Sequence, residues 1–79
     1  MDKQVKVYST PTCPFCIRVK AFLKENNVSF EDVDVSTDQN AAREMVEKSG
    51  QMGVPVLDIG GEFIVGFDKP RISQALGIN

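Results

Sequence analysis

The strongest restriction on the fold of this chain is its one pair of cysteines, Cys13 and Cys16, which stand two residues apart. An apolar β-strand pattern ends shortly before the pair, and a helical pattern begins at it. The spacing predicts that Cys13 occupies the N-cap of a helix and that Cys16 lies one turn inside, more deeply buried. Pro14 agrees with this placement, because its fixed φ and missing N–H suit the first helical position.

Such a pair is typical of thiol–disulfide exchange. A helix N-terminus presents unsatisfied N–H groups and the positive end of the helix dipole, which favour a thiolate, the form that attacks a disulfide. We therefore expect Cys13 to attack a foreign disulfide and Cys16 to displace the product. No metal site is expected within one chain, because structural zinc takes four Cys or His ligands and the sequence has two cysteines and no histidine. A metal shared between chains and an inert disulfide are the alternatives, although a disulfide closing so short a loop stabilises little.

The length of the chain predicts one small domain, residues 1–79. Its net charge is −2. This balance argues against binding to nucleic acid or to an anionic membrane. No apolar run reaches membrane-spanning length, and Met1–Gln4 leads directly into a strand pattern without a signal peptide. We expect a cytoplasmic monomer, since a thiol pair in a reducing compartment is more often catalytic than structural.

The charges are unevenly distributed along the chain. Basic residues gather in the first third and acidic residues follow them: Lys3, Lys6, Arg18, Lys20 and Lys24, then Glu25, Glu31, Asp32, Asp34, Asp38, Glu44 and Glu47. Solvated helix faces and an edge strand account for this pattern. The functional interpretation is that Arg18 and Lys20, on the helix of Cys13, favour its thiolate and attract anionic thiol substrates.

Periodicity and turn residues predict seven elements. They are a strand at 5–8, a helix from the cysteines to about 26, a strand at 28–35, a helix ending at 50, strands at 54–59 and 62–65, and a helix from 68 to 77. Ser36 and Gln39 have the spacing of a capping box for the second helix, and Gly60-Gly61 predicts a two-residue hairpin turn. The order β-α-β-α-β-β-α gives an α/β fold, a mixed four-stranded sheet flanked by helices on both faces.

Three separated motifs identify a family resemblance. The run Tyr8–Cys16, the triplet Gly53-Val54-Pro55 and the triplet Gly66-Phe67-Asp68 resemble a glutaredoxin of the thioredoxin-fold superfamily, nearly from end to end of the chain. The resemblance implies a thioredoxin fold, a thiol–disulfide oxidoreductase with no bound cofactor, and glutathione as co-substrate. It also implies that Pro55 is a cis proline facing the two sulfurs.

The resemblance further implies a groove for glutathione. Its predicted substrate-binding residues are Thr10, Phe15, Gln51, Val54, Pro55, Gly66, Phe67 and Asp68. Phe15 stands where the family usually has tyrosine, and both Phe15 and Phe67 are open to two interpretations, packing or a wall of the groove.

Two departures from the family pattern concern glutathione. Thr10 stands where a lysine or arginine is common, and Lys69 stands where a second acid is common. A charge-assisted hydrogen bond is worth roughly 1.5 to 3 kcal/mol, and Thr10 cannot supply one. We therefore expect this protein to bind glutathione more weakly than is usual in the family.

The functional hypothesis is a dithiol oxidoreductase with the sequence Cys-Pro-Phe-Cys. It reduces protein or glutathione mixed disulfides and is itself reduced by glutathione or by a reductase. One alternative is a glutaredoxin-like electron donor reduced by thioredoxin reductase, serving for example ribonucleotide reductase. Another is a carrier of an iron–sulfur cluster bridged through Cys13, which Pro14 disfavours because its rigid first turn resembles redox-active members.

Overall fold

A computed structural model describes residues 4–78 of the chain. The expectation drawn from Met1–Lys3 about the start of the chain lies outside the described residues. Within these residues, four strands and three helices follow one another in the predicted order: β1 Val5–Ser9, α1 Pro14–Glu25, β2 Glu31–Asp34, α2 Gln39–Ser49, β3 Val56–Ile59, β4 Glu62–Val65 and α3 Lys69–Leu76.

The four strands form one mixed sheet in the order β2-β1-β3-β4. The β1 and β2 strands pair in parallel, as expected for a β-α-β unit, and Val7 lies opposite Asp32. The β1–β3 and β3–β4 pairs are antiparallel, with Leu57 opposite both Val7 and Ile64. The predicted mixed sheet is confirmed.

Helices cover both faces of the sheet because side chains alternate along each strand. On one face, α1 and α3 enclose the larger core, whose buried members are Val5, Val7, Val19, Leu23, Leu57, Ile59, Ile64, Ile72 and Ala75. On the other face, α2 covers Tyr8 and Val56 with Met45. Within residues 4–78, no helix has the length and apolar character to cross a membrane.

Glycines close the β3–β4 hairpin and the second helix as the sequence predicts. Gly60 and Gly61 have φ of 60° and 97°, and residues other than glycine rarely adopt two successive positive values. Gly50 ends α2 in the left-handed conformation, and its N–H donates to the Val46 carbonyl.

The capping box predicted at Ser36 and Gln39 is wrong. Asp38 is the N-cap of α2, and its Oδ1 accepts a hydrogen bond from the Ala41 N–H at 3.0 Å. Ser36 takes part in the preceding turn instead, where its N–H and hydroxyl donate to Asp34 Oδ1 at 2.9 and 2.5 Å. A local turn therefore takes the serine that the capping box would need.

The second and third strands are also shorter than predicted. Val28 donates its N–H to the Leu23 carbonyl at 2.9 Å, so it belongs to the end of α1 and not to β2. The third strand begins at Val56, after Pro55, which has no N–H for a sheet hydrogen bond.

The corrected cap gives a direct prediction about stability. Asp38→Ala is expected to lower the free energy of unfolding by about 1 kcal/mol, because it removes the acceptor for an N–H of the first turn of α2. Ser36→Ala is the matched control, and we expect it to cost less, since its partner Asp34 is solvent-accessible. Urea denaturation measures both variants, and a larger loss for Ser36→Ala would restore the capping box.

Candidate active site

Cys13 lies in the loop between β1 and α1, directly before the first residue of α1. It is the N-cap, and its Sγ accepts a hydrogen bond from the Cys16 N–H at 3.1 Å. Its own N–H donates to the Thr10 carbonyl at 3.4 Å, which closes the turn between strand and helix. Pro14 follows at the first helical position. The sulfur therefore accepts a hydrogen bond from a backbone N–H, an interaction that stabilises a thiolate at a helix N-terminus.

The two sulfurs have different surroundings. Cys16 is fully buried, whereas Cys13 is partly exposed, and both are free thiols. Burial raises the pKa of Cys16 to about 11, with a further contribution from its hydrogen bond with Cys13. The Thr10 backbone amide and the charge of Lys20 act in the opposite direction. Solvent therefore reaches Cys13 first, and Cys16 lies behind it.

The segment before β3 contacts the sulfur of Cys13. The Val54–Pro55 peptide bond is cis, as the family resemblance implies. The Cys13 thiol donates to the Val54 carbonyl oxygen, which lies 3.8 Å from its Sγ. Gly66, just after β4, donates its N–H to the Pro55 carbonyl at 2.8 Å. These contacts bring together Cys13, Val54, Pro55 and Gly66, which the sequence places more than fifty residues apart at the extremes.

Phe15 and Gln51 are exposed. The Phe15 side chain is 55% exposed one residue after Pro14, and the guanidinium carbon of Arg18 lies 5.5 Å from the centre of its ring. Arg18 thus contacts an aromatic face beside the cysteines. Gln51 lies in the loop between α2 and β3, and its N–H donates to Ser49 Oγ at 3.1 Å.

Phe67 packs inward. Its ring is half-buried against the larger core and lies 5.9 Å from the ring of Phe22, edge to face. Of the two interpretations of Phe67, the geometry favours packing. Asp68 is the N-cap of α3, where its Oδ1 accepts from the Arg71 N–H at 3.2 Å. Lys69 Nζ lies over both rings, 5.6 Å from that of Phe22 and 5.7 Å from that of Phe67.

A polar group formed by Ser9, Lys20 and Asp32 links α1 to β1 and β2. Ser9, which is 1% exposed, donates its hydroxyl to Asp32 Oδ1 at 2.7 Å. Lys20 of α1 contacts Asp32 Oδ2 at 2.8 Å. Burial raises the pKa of Asp32, but the hydrogen bonds from Lys20 and Ser9 outweigh it and hold that pKa below its usual value. Alternation along β2 is the sequence signal that could have placed Asp32 on the α1 face.

The α2 face carries a separate cleft of about 260 Å³. Its lining residues are Lys6, Tyr8, Glu31, Val33, Asp38, Asn40, Ala41 and Glu44, and none of them belongs to the predicted site. Tyr8 donates its hydroxyl to Glu44 Oε1 at 2.7 Å, and that bond lowers the pKa of the Glu44 carboxyl. This cleft is therefore separate from the contacts that surround Cys13.

Comparison with known proteins decides the family. The family model described as Glutaredoxin matches residues 5–64. The chain belongs to the glutaredoxin family. It is 47% identical over 72 residues to an uncharacterized glutaredoxin-like 8.6 kDa protein in the rubredoxin operon of Clostridium pasteurianum, covering 91% of this chain and 96% of that one. It is 41% identical over 75 residues to Glutaredoxin 3 of Escherichia coli strain K12, covering 92% and 88%.

The solved structures agree with the fold. A crystal structure of a mutant of the thioredoxin-like protein BC3987 superposes with a TM-score of 0.91 at 37% identity, covering 96% of this chain and 97% of that one. The predicted thioredoxin fold is thereby confirmed. This glutaredoxin-like chain is a redox protein with its cysteine pair at positions 13 and 16, and thiol–disulfide oxidoreductase activity in general is what its family suggests.

Proposed function

We propose that this protein is a dithiol oxidoreductase that reduces protein disulfides and glutathione mixed disulfides. The Cys13 thiolate attacks a substrate disulfide, forms a mixed disulfide and releases one substrate thiolate. The Cys16 thiolate then attacks Cys13 Sγ, and the second substrate sulfur leaves as the Cys13–Cys16 disulfide forms. Two protein thiols are oxidised and one substrate disulfide is reduced.

The observation that carries this proposal is the asymmetry of the two sulfurs. Cys13 is partly exposed at a helix N-terminus and accepts the Cys16 N–H, whereas Cys16 is fully buried one turn inside. An attacking sulfur needs access and a stabilised thiolate, and a resolving sulfur needs only to reach the first one. The exposure of Cys13 supports the attacking role, and the place of Cys16 in the same helix turn supports the resolving role.

Glutathione is the proposed co-substrate, held by a groove around Cys13. Backbone groups at Val54 suit strand-like pairing with a tripeptide, and the start of α3 at Asp68 suits its glutamyl end. Phe15 is a wall beside the sulfur, and Gln51 is the candidate contact for the glycyl carboxylate. These contacts are mostly neutral, because Thr10 supplies no positive charge there.

Reduction by a thioredoxin-type reductase is the second candidate. It is favoured by Lys69, whose ammonium lies on the Phe22 and Phe67 rings at the start of α3, where a family member that binds glutathione commonly has an acid. A cation there repels the ammonium group of the glutamyl moiety. In this case the same two cysteines receive electrons from an enzyme and pass them to a protein disulfide.

We place the protein in the cytoplasm, because a reducing compartment keeps such a pair in the dithiol form between turnovers. We also propose that it acts as a monomer. An iron–sulfur cluster carrier is the remaining alternative. Pro14 at the first helical position of α1 argues against it, and absence of visible absorbance after anaerobic purification is the expected result.

The electron donor is tested by changing Thr10. We expect Thr10→Lys to lower the apparent KM for glutathione by up to roughly tenfold, the equivalent of about 1.4 kcal/mol, since the added cation can pair with the glycyl carboxylate. Turnover is measured with glutathione and its reductase, and separately with thioredoxin reductase. Thr10→Gln is the matched control, because it adds length without charge.

Two results would overturn the glutathione assignment. One is an unchanged KM for glutathione in Thr10→Lys. The other is efficient reduction of the wild-type disulfide by thioredoxin reductase with negligible turnover on glutathione, which would establish the second candidate in its place.

A further inference from the structure

The polar group of Ser9, Lys20 and Asp32 connects three elements of the fold. Lys20 lies four residues after Cys16 on α1, so the two side chains share one face of the helix. The Lys20 ammonium is fixed by Asp32 of β2 at 2.8 Å, and Asp32 is fixed in turn by the buried hydroxyl of Ser9 on β1 at 2.7 Å. Two strands thereby hold the cation on the helix face of Cys16, about one turn further along α1.

We propose that Lys20, positioned by Asp32 and Ser9, assists the resolving step by favouring the thiolate of Cys16 when that sulfur attacks the mixed disulfide on Cys13. This proposal rests on the proposed function, since it assumes that Cys13 attacks and Cys16 resolves. Lys20 touches no substrate in this role. It is a positioning residue that acts on Cys16 through its charge.

The physical need for such a residue follows from the burial of Cys16. A fully buried thiol is a poor source of thiolate, and its pKa is raised to about 11. Lys20 and the Thr10 amide are the groups that counteract this. When substrate is attached to Cys13, that sulfur no longer bears a charge that repels a second thiolate, whereas the charge of Lys20 still favours the thiolate of Cys16.

The charged groups that face Cys16 come from few places in residues 4–78. On α1 these groups are Cys13 and Lys20, and on β2 the carboxylate of Asp32 contacts Lys20. The residues of β3 and β4 on this face of the sheet are apolar: Leu57, Ile59 and Ile64.

The cations of α3 are engaged elsewhere. Lys69 lies over the rings of Phe22 and Phe67, and Arg71 pairs with Glu62 at 3.9 Å. We therefore test the charge on the resolving sulfur by replacing Lys20, which acts on the Cys16 thiol.

A stopped-flow reaction with dithiobis(nitrobenzoate) separates the two steps. Attack by Cys13 releases one nitrothiobenzoate, and displacement by Cys16 releases a second in a later phase. We expect Lys20→Met to slow the second phase by a larger factor than the first. The second phase should slow by roughly three- to tenfold near neutral pH, and its pH midpoint should rise by up to about one unit, which corresponds to tenfold in thiolate fraction.

Three variants make the test specific. Lys20→Arg keeps the charge and should restore the wild-type second phase. Lys24→Met removes an equal charge one turn further along α1, roughly 12 Å from Cys16 along the helix, and should leave the second phase unchanged. If Lys20→Met does not fold, Lys20→Gln replaces it, because an amide can still bond to Asp32.

The outcomes distinguish this inference from the proposed function. Absence of the first phase in the wild-type protein would overturn the assignment of Cys13 as the attacking sulfur. A normal first phase, with a second phase of equal rate and pH midpoint in Lys20→Met and Lys24→Met, would overturn the role of Lys20 alone. Slowing in Lys20→Arg equal to that in Lys20→Met would also overturn it, since the charge would then not be the cause.

Discussion

Cys13→Ser is expected to abolish disulfide exchange with every substrate, because it removes the sulfur that solvent and substrates reach. Cys16→Ser is expected to retain reduction of glutathione adducts, since free glutathione can resolve the mixed disulfide on Cys13. The same variant should lose turnover on protein disulfides and accumulate the mixed disulfide with its substrate. Coupled turnover assays and non-reducing gels measure these outcomes.

The two variants are matched controls for one another. Each replaces one sulfur by one oxygen, and each keeps the backbone of the first turn of α1. Their far-ultraviolet circular dichroism should be the same as that of the wild-type protein. Equal loss of activity in both variants on all substrates, with the fold intact, would contradict separate roles for the two sulfurs.

The second large effect is on stability. Leu57 is fully buried on β3 and lies opposite Val7 and Ile64, which are also fully buried. Leu57→Ala is expected to lower the free energy of unfolding by about 2 to 5 kcal/mol, because it removes packed methyl groups and leaves a cavity. A domain of this length has a total stability of about 4 to 12 kcal/mol, so this variant should be largely destabilised.

Met52→Ala is the control for that substitution. Met52 is 84% exposed, so its truncation should change the free energy of unfolding by no more than about 0.5 kcal/mol. Urea denaturation of both variants makes the comparison. A loss below about 1 kcal/mol for Leu57→Ala would contradict the central position assigned to β3 in the core.

Local signals in the sequence were sufficient for most of the fold. The cap at Cys13, the hairpin at Gly60-Gly61 and the end of α2 at Gly50 each depend on the backbone preferences of one or two residues. The choice between Ser36 and Asp38 as a cap depended instead on a side-chain hydrogen bond in the preceding turn. Both types cap helices well, and the turn with Asp34 decided which one was free.

The side-chain contacts that could not be predicted from the sequence join elements that are distant along the chain. Asp32 lies twelve residues from Lys20, and only the parallel pairing of β1 with β2 brings its carboxylate beneath α1. The direction of the Phe67 ring similarly depends on where α3 packs against Phe22. The family motifs place such residues near the site, but they do not determine which neighbour each side chain contacts.

We propose that the two cysteines exchange one disulfide with a substrate. The most direct test of this exchange is peptide mapping by mass spectrometry after the fully reduced protein is mixed with one equivalent of a glutathione mixed disulfide and then quenched with acid. We expect a disulfide between Cys13 and Cys16 together with reduced substrate, and a glutathione or substrate adduct only on Cys13 at early times. Free thiols at both positions with intact substrate, or an early adduct on Cys16, would contradict it.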